Sequence, residues 1–162
     1  MNKPIRKAVR CFLINNNKVV VTKYKSGNKK EGYYDIPGGK IEEGENPEEA
    51  AIREMKEETG LIVTNLKLKG KMKIEYPKKI FELLIFIAYE FEGRVQEFEE
   101  NTSEWMEINE LLNKEKKLSN IMLLEKEYIN GLIGDKCNFI MNIEVDDDEN
   151  IINIEYKSDG RN

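Results

Sequence analysis

Glu54, Glu57 and Glu58 stand at i, i+3 and i+4 in a segment with helical patterning, so three carboxylates would leave one helix face within a turn. Like charges so placed repel by roughly 0.2–0.5 kcal/mol per pair unless a cation compensates. Two readings follow. The glutamates are either a solvated face or oxygen ligands for a hard divalent cation, which selects clustered carboxylates. Arg53 can offset Glu49 and Glu57 at four-residue spacing. The chain contains no histidine, which removes Ser-His and Cys-His nucleophile pairs, zinc deaminase sites and His-ligated metal centres. Catalysis, if present, must use carboxylates, lysines, hydroxyls or a hard metal ion.

The helix that must present these groups is well marked. Asn46 suits the N-cap, Pro47 the first helical position, and Glu49 completes a capping box three residues after the cap. Gly60 suits the left-handed residue that closes a helix, so the helix should span about Pro47 to Thr59. Ala51, Ile52 and Met55 give it an apolar side to dock on a sheet. Residues 6–14 and 18–24 read as strands joined by a turn at Asn15-Asn16-Asn17, and a loop runs from Lys25 to Gly32. Leu66 to Ile74 alternates, with Lys67, Lys69, Lys71 and Lys73 on one face, as in a half-buried strand whose lysines guard a sheet edge. Phe81 to Phe91 is apolar enough for a central strand, whereas Glu107 to Leu112 and Leu118 to Leu132 read as helix. Phe139, Met141, Ile143 and Val145 alternate before an acidic turn at residues 146–150, and Ile151 to Tyr156 completes a hairpin. That turn lacks the Gly and distal Glu of a calcium loop and is expected to be solvated.

The full pattern is Gly39-x5-Glu45-x7-Arg53-Glu54-Met55-x-Glu57-Glu58-x-Gly60-Leu61. It resembles the Nudix box of the Nudix hydrolase superfamily at every defined position, with Met55 and Leu61 in the two aliphatic places and the box spanning 39–61. The resemblance implies an α/β/α sandwich with a mixed β-sheet over nearly the whole chain, here with the C-terminal hairpin added. It also implies hydrolysis of a nucleoside diphosphate linked to another group. In that family Mg²⁺ or Mn²⁺ is held over the diphosphate, which here implicates Glu54, Glu57 and Glu58 as ligands. Arg53 is then the clamp that orients them, and Gly39 a backbone ligand. Which glutamate acts as base varies within the family. Glu45 matches a loop position with either a steadying or a metal-contacting role. A further acid should lie shortly before Trp105, where Glu97, Glu99, Glu100 and Glu104 compete; spacing from Trp105 selects Glu100, with Glu99 in reserve.

The flanks, Pro37-Gly38-Gly39-Lys40 and Glu104-Trp105-Met106, look like the MutT-type branch that removes oxidised purine nucleoside triphosphates. That likeness implies a nucleoside triphosphate, possible substrates including 8-oxo-dGTP, cut to nucleoside monophosphate and pyrophosphate. Asn120 lies where the branch places an asparagine that reads the purine edge, and would otherwise be a helix N-cap. Lys23 matches a phosphate-contacting position or is an exposed strand-end lysine. Asp35 either meets the base or caps the loop. The hairpin looks like the ending of some oxidised-purine triphosphatases, but Leu118-Ser119-Asn120-Ile121 replaces the acidic residues that read the base there. Tyr76 and Pro77 are loosely placed like residues associated with ADP-ribose or dinucleoside polyphosphate hydrolysis, the alternative activity. A nucleotide-sensing domain without catalysis is the remaining reading.

Length and composition agree with one domain covering 1–162. The chain has 162 residues, 40% of them hydrophobic and 35% charged, with a net charge of −5. The expected partner is a small-molecule nucleotide and not a nucleic-acid polymer, which would call for a basic footprint. Cys11 and Cys137 are isolated and expected to be reduced thiols. The N-terminal residues lack a secretory apolar core, and no apolar run approaches the ~20 residues of a membrane span. The expectation is a cytoplasmic monomer or homodimer with no membrane association.

Overall fold

The computed structural model describes residues 2–24, 32–111, 113 and 138–158. Asn16 and Asn17 both take positive φ, 50° and 62°, which asparagine tolerates. This two-residue turn joins β1 (Ile5–Asn15) to β2 (Lys18–Tyr24), with Ile14 opposite Val19.

β1 organises the rest. It runs parallel to β7 (Ile80–Ala88) from Ile5 to Leu13, and its residues 8–10 pair antiparallel with β4 (Gly38–Lys40). From β7 the sheet continues through β6 (Lys67–Glu75) and β10 (Phe139–Val145) to β11 (Ile151–Ser158). On the other side β2 pairs with β3 (Tyr34–Asp35) and with β9 (Asn101–Glu107). A separate ribbon joins β5 (Ile62–Thr64) to β8 (Glu90–Glu92). Parallel pairing of β1 with β7 and of β6 with β10 makes the sheet mixed, as the resemblance implies.

The sheet buries a core on each face. The helix α1 (Pro47–Thr59) buries Ala50, Ala51 and Met55 against Val9, Cys11, Leu13, Val20, Leu61 and Phe86. On the opposite face Phe12, Ile36, Met72, Leu83, Ile85, Met141 and Ile143 pack with Leu111 of the short helix α2 (Ile108–Leu111). The sandwich architecture is thus present in its sheet, its first helix and its two cores. The expected helix from Leu118 to Leu132 lies outside the described residues.

Several elements differ from expectation for identifiable reasons. Glu107 ends β9 instead of starting a helix, its strand pairing with Lys18 prevailing over local helical patterning. The apolar run at Phe81–Phe91 breaks at the exposed Tyr89, because Glu90–Glu92 leaves the main sheet to pair with β5. β6 is an interior strand between β7 and β10, so its lysines guard no edge. Its alternation slips at a bulge between Leu68 and Gly70, leaving Leu68 50% exposed. Gly70 is required there: a Cβ would lie 2.1 Å from the Phe139 ring, which docks the C-terminal hairpin. The acidic turn closes that hairpin through Asp146, whose side chain accepts from the Asp148 and Asn150 amides.

Candidate functional site

The start of α1 is fixed as its sequence predicts. The Asn46 side chain accepts from the Glu49 amide at 2.8 Å, and Glu49 returns the bond from the Asn46 amide at 3.3 Å. Glu49 is therefore committed to the cap and does not pair with Arg53. Gly60 closes the helix at φ 84°, donating to the Lys56 carbonyl.

Arg53 joins the helix to the loop before it. Its Nε and Nη2 engage both oxygens of Glu45 at 2.7 and 3.0 Å, and Nη2 also donates to the Lys40 carbonyl at 3.0 Å. Nη1 reaches Glu54 at 2.9 Å and Glu57 at 3.2 Å. The fork geometry suits guanidinium and no other cationic side chain. Glu45 is held down at about 2 by the Arg53 hydrogen bonds and by the Glu42 amide. It has the contacts of a loop-steadying residue.

Glu54 and Glu58 converge on β4. The Gly39 backbone lies so close to Glu54 that a Cβ would sit 2.5 Å from its Oε1. The Gly38 amide faces Glu58, and the carboxyls of Glu54 and Glu58 lie close enough to act on each other. Burial pushes the Glu58 carboxyl up to about 8, the charge of Glu54 pushes the same way, and Gly38 and Arg10 oppose it. Burial also raises Glu54, against the hydrogen bond from Arg53. Two acidic groups thus share a desolvated position with too little positive charge.

Beneath them Arg10 pairs with the buried Asp35 and donates to the Ile36 carbonyl at 2.8 Å. Asp35 also accepts from the Ile36 amide at 2.9 Å, so its carboxylate is spent on structure at the mouth of β4. The Tyr24 hydroxyl is pushed up to about 12, by burial first and then by the charges of Asp35 and Glu58.

The remaining expected residues are placed less tightly. Glu57 is on the same helix face but its side chain is 59% exposed. Glu97, Glu99 and Glu100 are exposed in the segment before β9, and Glu104 is within β9, hydrogen-bonded to Tyr34. Lys23 is exposed near the end of β2, its ammonium 5.4 Å from the Tyr34 ring centroid. Asn120 lies outside the described residues. Among the described residues no three acidic groups converge tightly enough, as placed, to ligate a metal ion. The donor chemistry nevertheless fits Mg²⁺, which uses one or two carboxylates and retains waters or substrate phosphates as its other ligands.

Sequence reasoning missed Arg10, Tyr24, Asn101 and Ser103. Arg10 had a readable signal, as a lone charge within the apolar run Ala8-Val9-Arg10-Cys11-Phe12. Asn101 and Ser103 had none, because their partner is the backbone carbonyl of Glu58, more than forty residues away.

This geometry has counterparts in known proteins. Residues 4–125 match the family model for the NUDIX domain. The 8-oxo-dGTP diphosphatase of Escherichia coli (strain K12) is 31% identical over 106 residues, covering 65% of this chain and 82% of the relative. The protein of the same name from Haemophilus influenzae is also 31% identical over 106 residues, 65% of this chain and 74% of the relative. Among solved structures, the mutator MutT protein from Bacillus halodurans superposes with a TM-score of 0.77 at 24% identity, covering 97% of this chain and 99% of that one. The box residues at 39–61, the mixed sheet that carries them and the match over 4–125 agree: the chain belongs to the NUDIX family and is a hydrolase of that family.

Proposed function

We propose that this protein is a divalent-cation-dependent nucleoside triphosphate pyrophosphohydrolase that releases nucleoside monophosphate and pyrophosphate, with an oxidised purine triphosphate such as 8-oxo-dGTP as substrate. The observation that carries the reading is the half-buried Glu54–Glu58 pair against Gly38–Gly39, beside an Arg53 that bonds Glu54 and is also engaged by Glu45, Glu57 and the Lys40 carbonyl. The substrate class rests on the likeness to the 8-oxo-dGTP diphosphatases.

Glu54, Glu57, Glu58 and the backbone of Gly39 would hold Mg²⁺, joined by Glu100 from the loop before β9. Bound there, the ion would neutralise phosphate charge and favour attack by water on phosphorus. Arg53 keeps Glu54 and Glu57 turned toward one another's side of the helix while Glu45 fixes the guanidinium. A carboxylate of this set takes the proton of the attacking water as the new P–O bond forms and the bond from that phosphorus to the α–β bridging oxygen breaks, the bridging oxygen leaving with the other product. Lys23 contributes positive charge for the phosphates, and Asn120 offers an amide that both donates to and accepts from a purine edge. Asp35 supports the floor of the site through Arg10.

The test is release of phosphate and pyrophosphate, with and without Mg²⁺, from 8-oxo-dGTP, ordinary dNTPs, ADP-ribose and diadenosine polyphosphates. Metal-dependent pyrophosphate from an oxidised triphosphate is expected. Glu57→Gln should remove most turnover and leave the fold intact. Preferential cleavage of ADP-ribose or dinucleotides would replace the substrate assignment, and tight nucleotide binding without turnover would make the domain a sensor.

A further inference from the structure

The last carbonyls of a helix have no partner within it and must find one elsewhere. In α1 the local ones are met locally: Thr59 Oγ1 donates to the Met55 carbonyl at 2.6 Å and the Gly60 amide to that of Lys56 at 2.9 Å. Those of Glu58 and Thr59 are met from a distant segment. The Glu58 carbonyl accepts from Asn101 Nδ2 at 3.1 Å and from Ser103 Oγ at 2.9 Å, and the Thr59 carbonyl accepts from the Gln96 amide at 2.8 Å. One donor would satisfy a carbonyl; Glu58 has two, using both lone pairs.

We propose that Asn101 and Ser103 are positioning residues for the cation site, fixing through the Glu58 carbonyl the turn that carries Glu57 and Glu58 and holding it to the acidic 97–100 segment. The inference rests on the proposed role of those carboxylates. β9 is a firm anchor, since it pairs with β2 from Lys18–Glu107 to Tyr24–Asn101. The acidic segment is bracketed by the same contacts: Gln96 binds the helix end on one side, Asn101 binds it on the other, and the Phe98 amide donates to the Asn101 carbonyl at 3.1 Å. Helix turn and acidic segment therefore move together. The two donors also offset the negative end of the helix dipole where carboxylates already crowd. Strand formation alone does not call for asparagine at this place, a residue depleted in strands.

Asn101→Ala, Ser103→Ala, the double variant and Ser103→Thr test this. Mn²⁺ binding is measured by paramagnetic resonance without nucleotide, kcat and KM with Mg²⁺, and thermal unfolding in EDTA. Partners that orient metal ligands are typically worth ~10–100-fold in affinity or activity. The double variant should lose that much in Mn²⁺ affinity and kcat, with KM for nucleotide little changed and unfolding within a few degrees of wild type. Each single variant should lose less, and Ser103→Thr should restore Mn²⁺ affinity over Ser103→Ala. Unaltered Mn²⁺ affinity in a folded double variant overturns the proposal, as does Ser103→Thr binding no better than Ser103→Ala, a comparison that survives if the double variant fails to fold. A wild-type protein that binds Mn²⁺ yet hydrolyses no triphosphate overturns the proposed activity instead, and the Mn²⁺ series still decides the positioning role.

Discussion

Replacing Gly39 by alanine isolates the carboxylate geometry from the stability of the fold. The added Cβ would lie 2.5 Å from Cδ and Oε1 of Glu54 and 2.7 Å from Oε2, whereas ordinary contact begins at 3.4 Å. The Glu54 carboxyl must therefore retreat by roughly 1 Å, and a displacement of that size can lower a rate by about 10²-fold, some 2.7 kcal/mol in the barrier. Stability should change far less. The clash is with the end of a flexible side chain, and a Gly→Ala change restricts the unfolded chain by about 0.4–1 kcal/mol in the opposite direction. Pyrophosphate release at saturating Mg²⁺ should thus fall about a hundredfold while the unfolding temperature shifts by no more than ~2–4 °C, the change expected per kcal/mol at this size. Gly38→Ala is the contrasting control: its Cβ would sit 2.0 Å from the Val9 carbonyl oxygen, backbone against backbone, and it should impair folding itself. Wild-type turnover in Gly39→Ala, or loss of its fold, would refute the argument that Glu54 is held at a catalytic position by the absence of a side chain opposite.

Gly70→Ala should destabilise by about 1–3 kcal/mol through overpacking against Phe139. Combined with Phe139→Ala in a double-mutant cycle followed by denaturant unfolding, the two should be clearly non-additive. Cys11 is buried and its thiol is pushed up to about 12 by desolvation, so peptide mapping after maleimide treatment should find it unlabelled in the native protein and labelled after denaturation. The Glu58 carboxyl sits near 8 when folded, against an ordinary value of 4.5, so the folded metal-free protein retains a proton that the unfolded chain has released. That contribution is fully present below 4.5 and is lost as pH rises through 8. Unfolding temperatures in EDTA should therefore decline across this window, and Mg²⁺ should flatten the decline; a rise with pH in EDTA would contradict the burial argument.

What could be read from residue order was what is encoded locally. Asn46, Pro47, Glu49 and Gly60 define α1 through bonds spanning a few residues, and Asn16-Asn17 define the first hairpin in the same way. The glutamate spacing followed from helical geometry once those ends were known. Pairing between distant segments was not legible. β9 carries Asn, Thr, Ser and Glu and shows no apolar alternation, because it is made a strand by lying along β2. Glu107 reads as helical in isolation for the same reason, and the lysine face of β6 reads as guarding an edge because nothing local announces β10 as its neighbour. At the site, the acids and Arg53 were visible as a motif. Asp35 was visible as a residue but not as the partner of Arg10, and Asn101 and Ser103 act on a backbone atom that no side-chain pattern reports.

The charge balance around Gly38–Gly39 connects these observations. Glu42, Glu45, Glu54, Glu57, Glu58 and Asp35 surround two guanidiniums, Arg53 and Arg10, so six acids face two permanent cations. Without further positive charge the site adjusts in the one way open to it: burial and mutual repulsion push both the Glu54 and Glu58 carboxyls up, and Glu58, at about 8, keeps its proton. A triphosphate arriving alone would add several more negative charges to that deficit and be repelled. The same nucleotide arriving with a divalent cation would displace the proton retained on Glu58 and leave the carboxylates ionised and paired. Arg53 cannot substitute for that cation, because its fork is already occupied by Glu45, Glu54, Glu57 and the Lys40 carbonyl. Its one charge orients the acids but offsets only part of theirs, and on the proposed reading the remaining negative charge would make triphosphate binding depend on the metal.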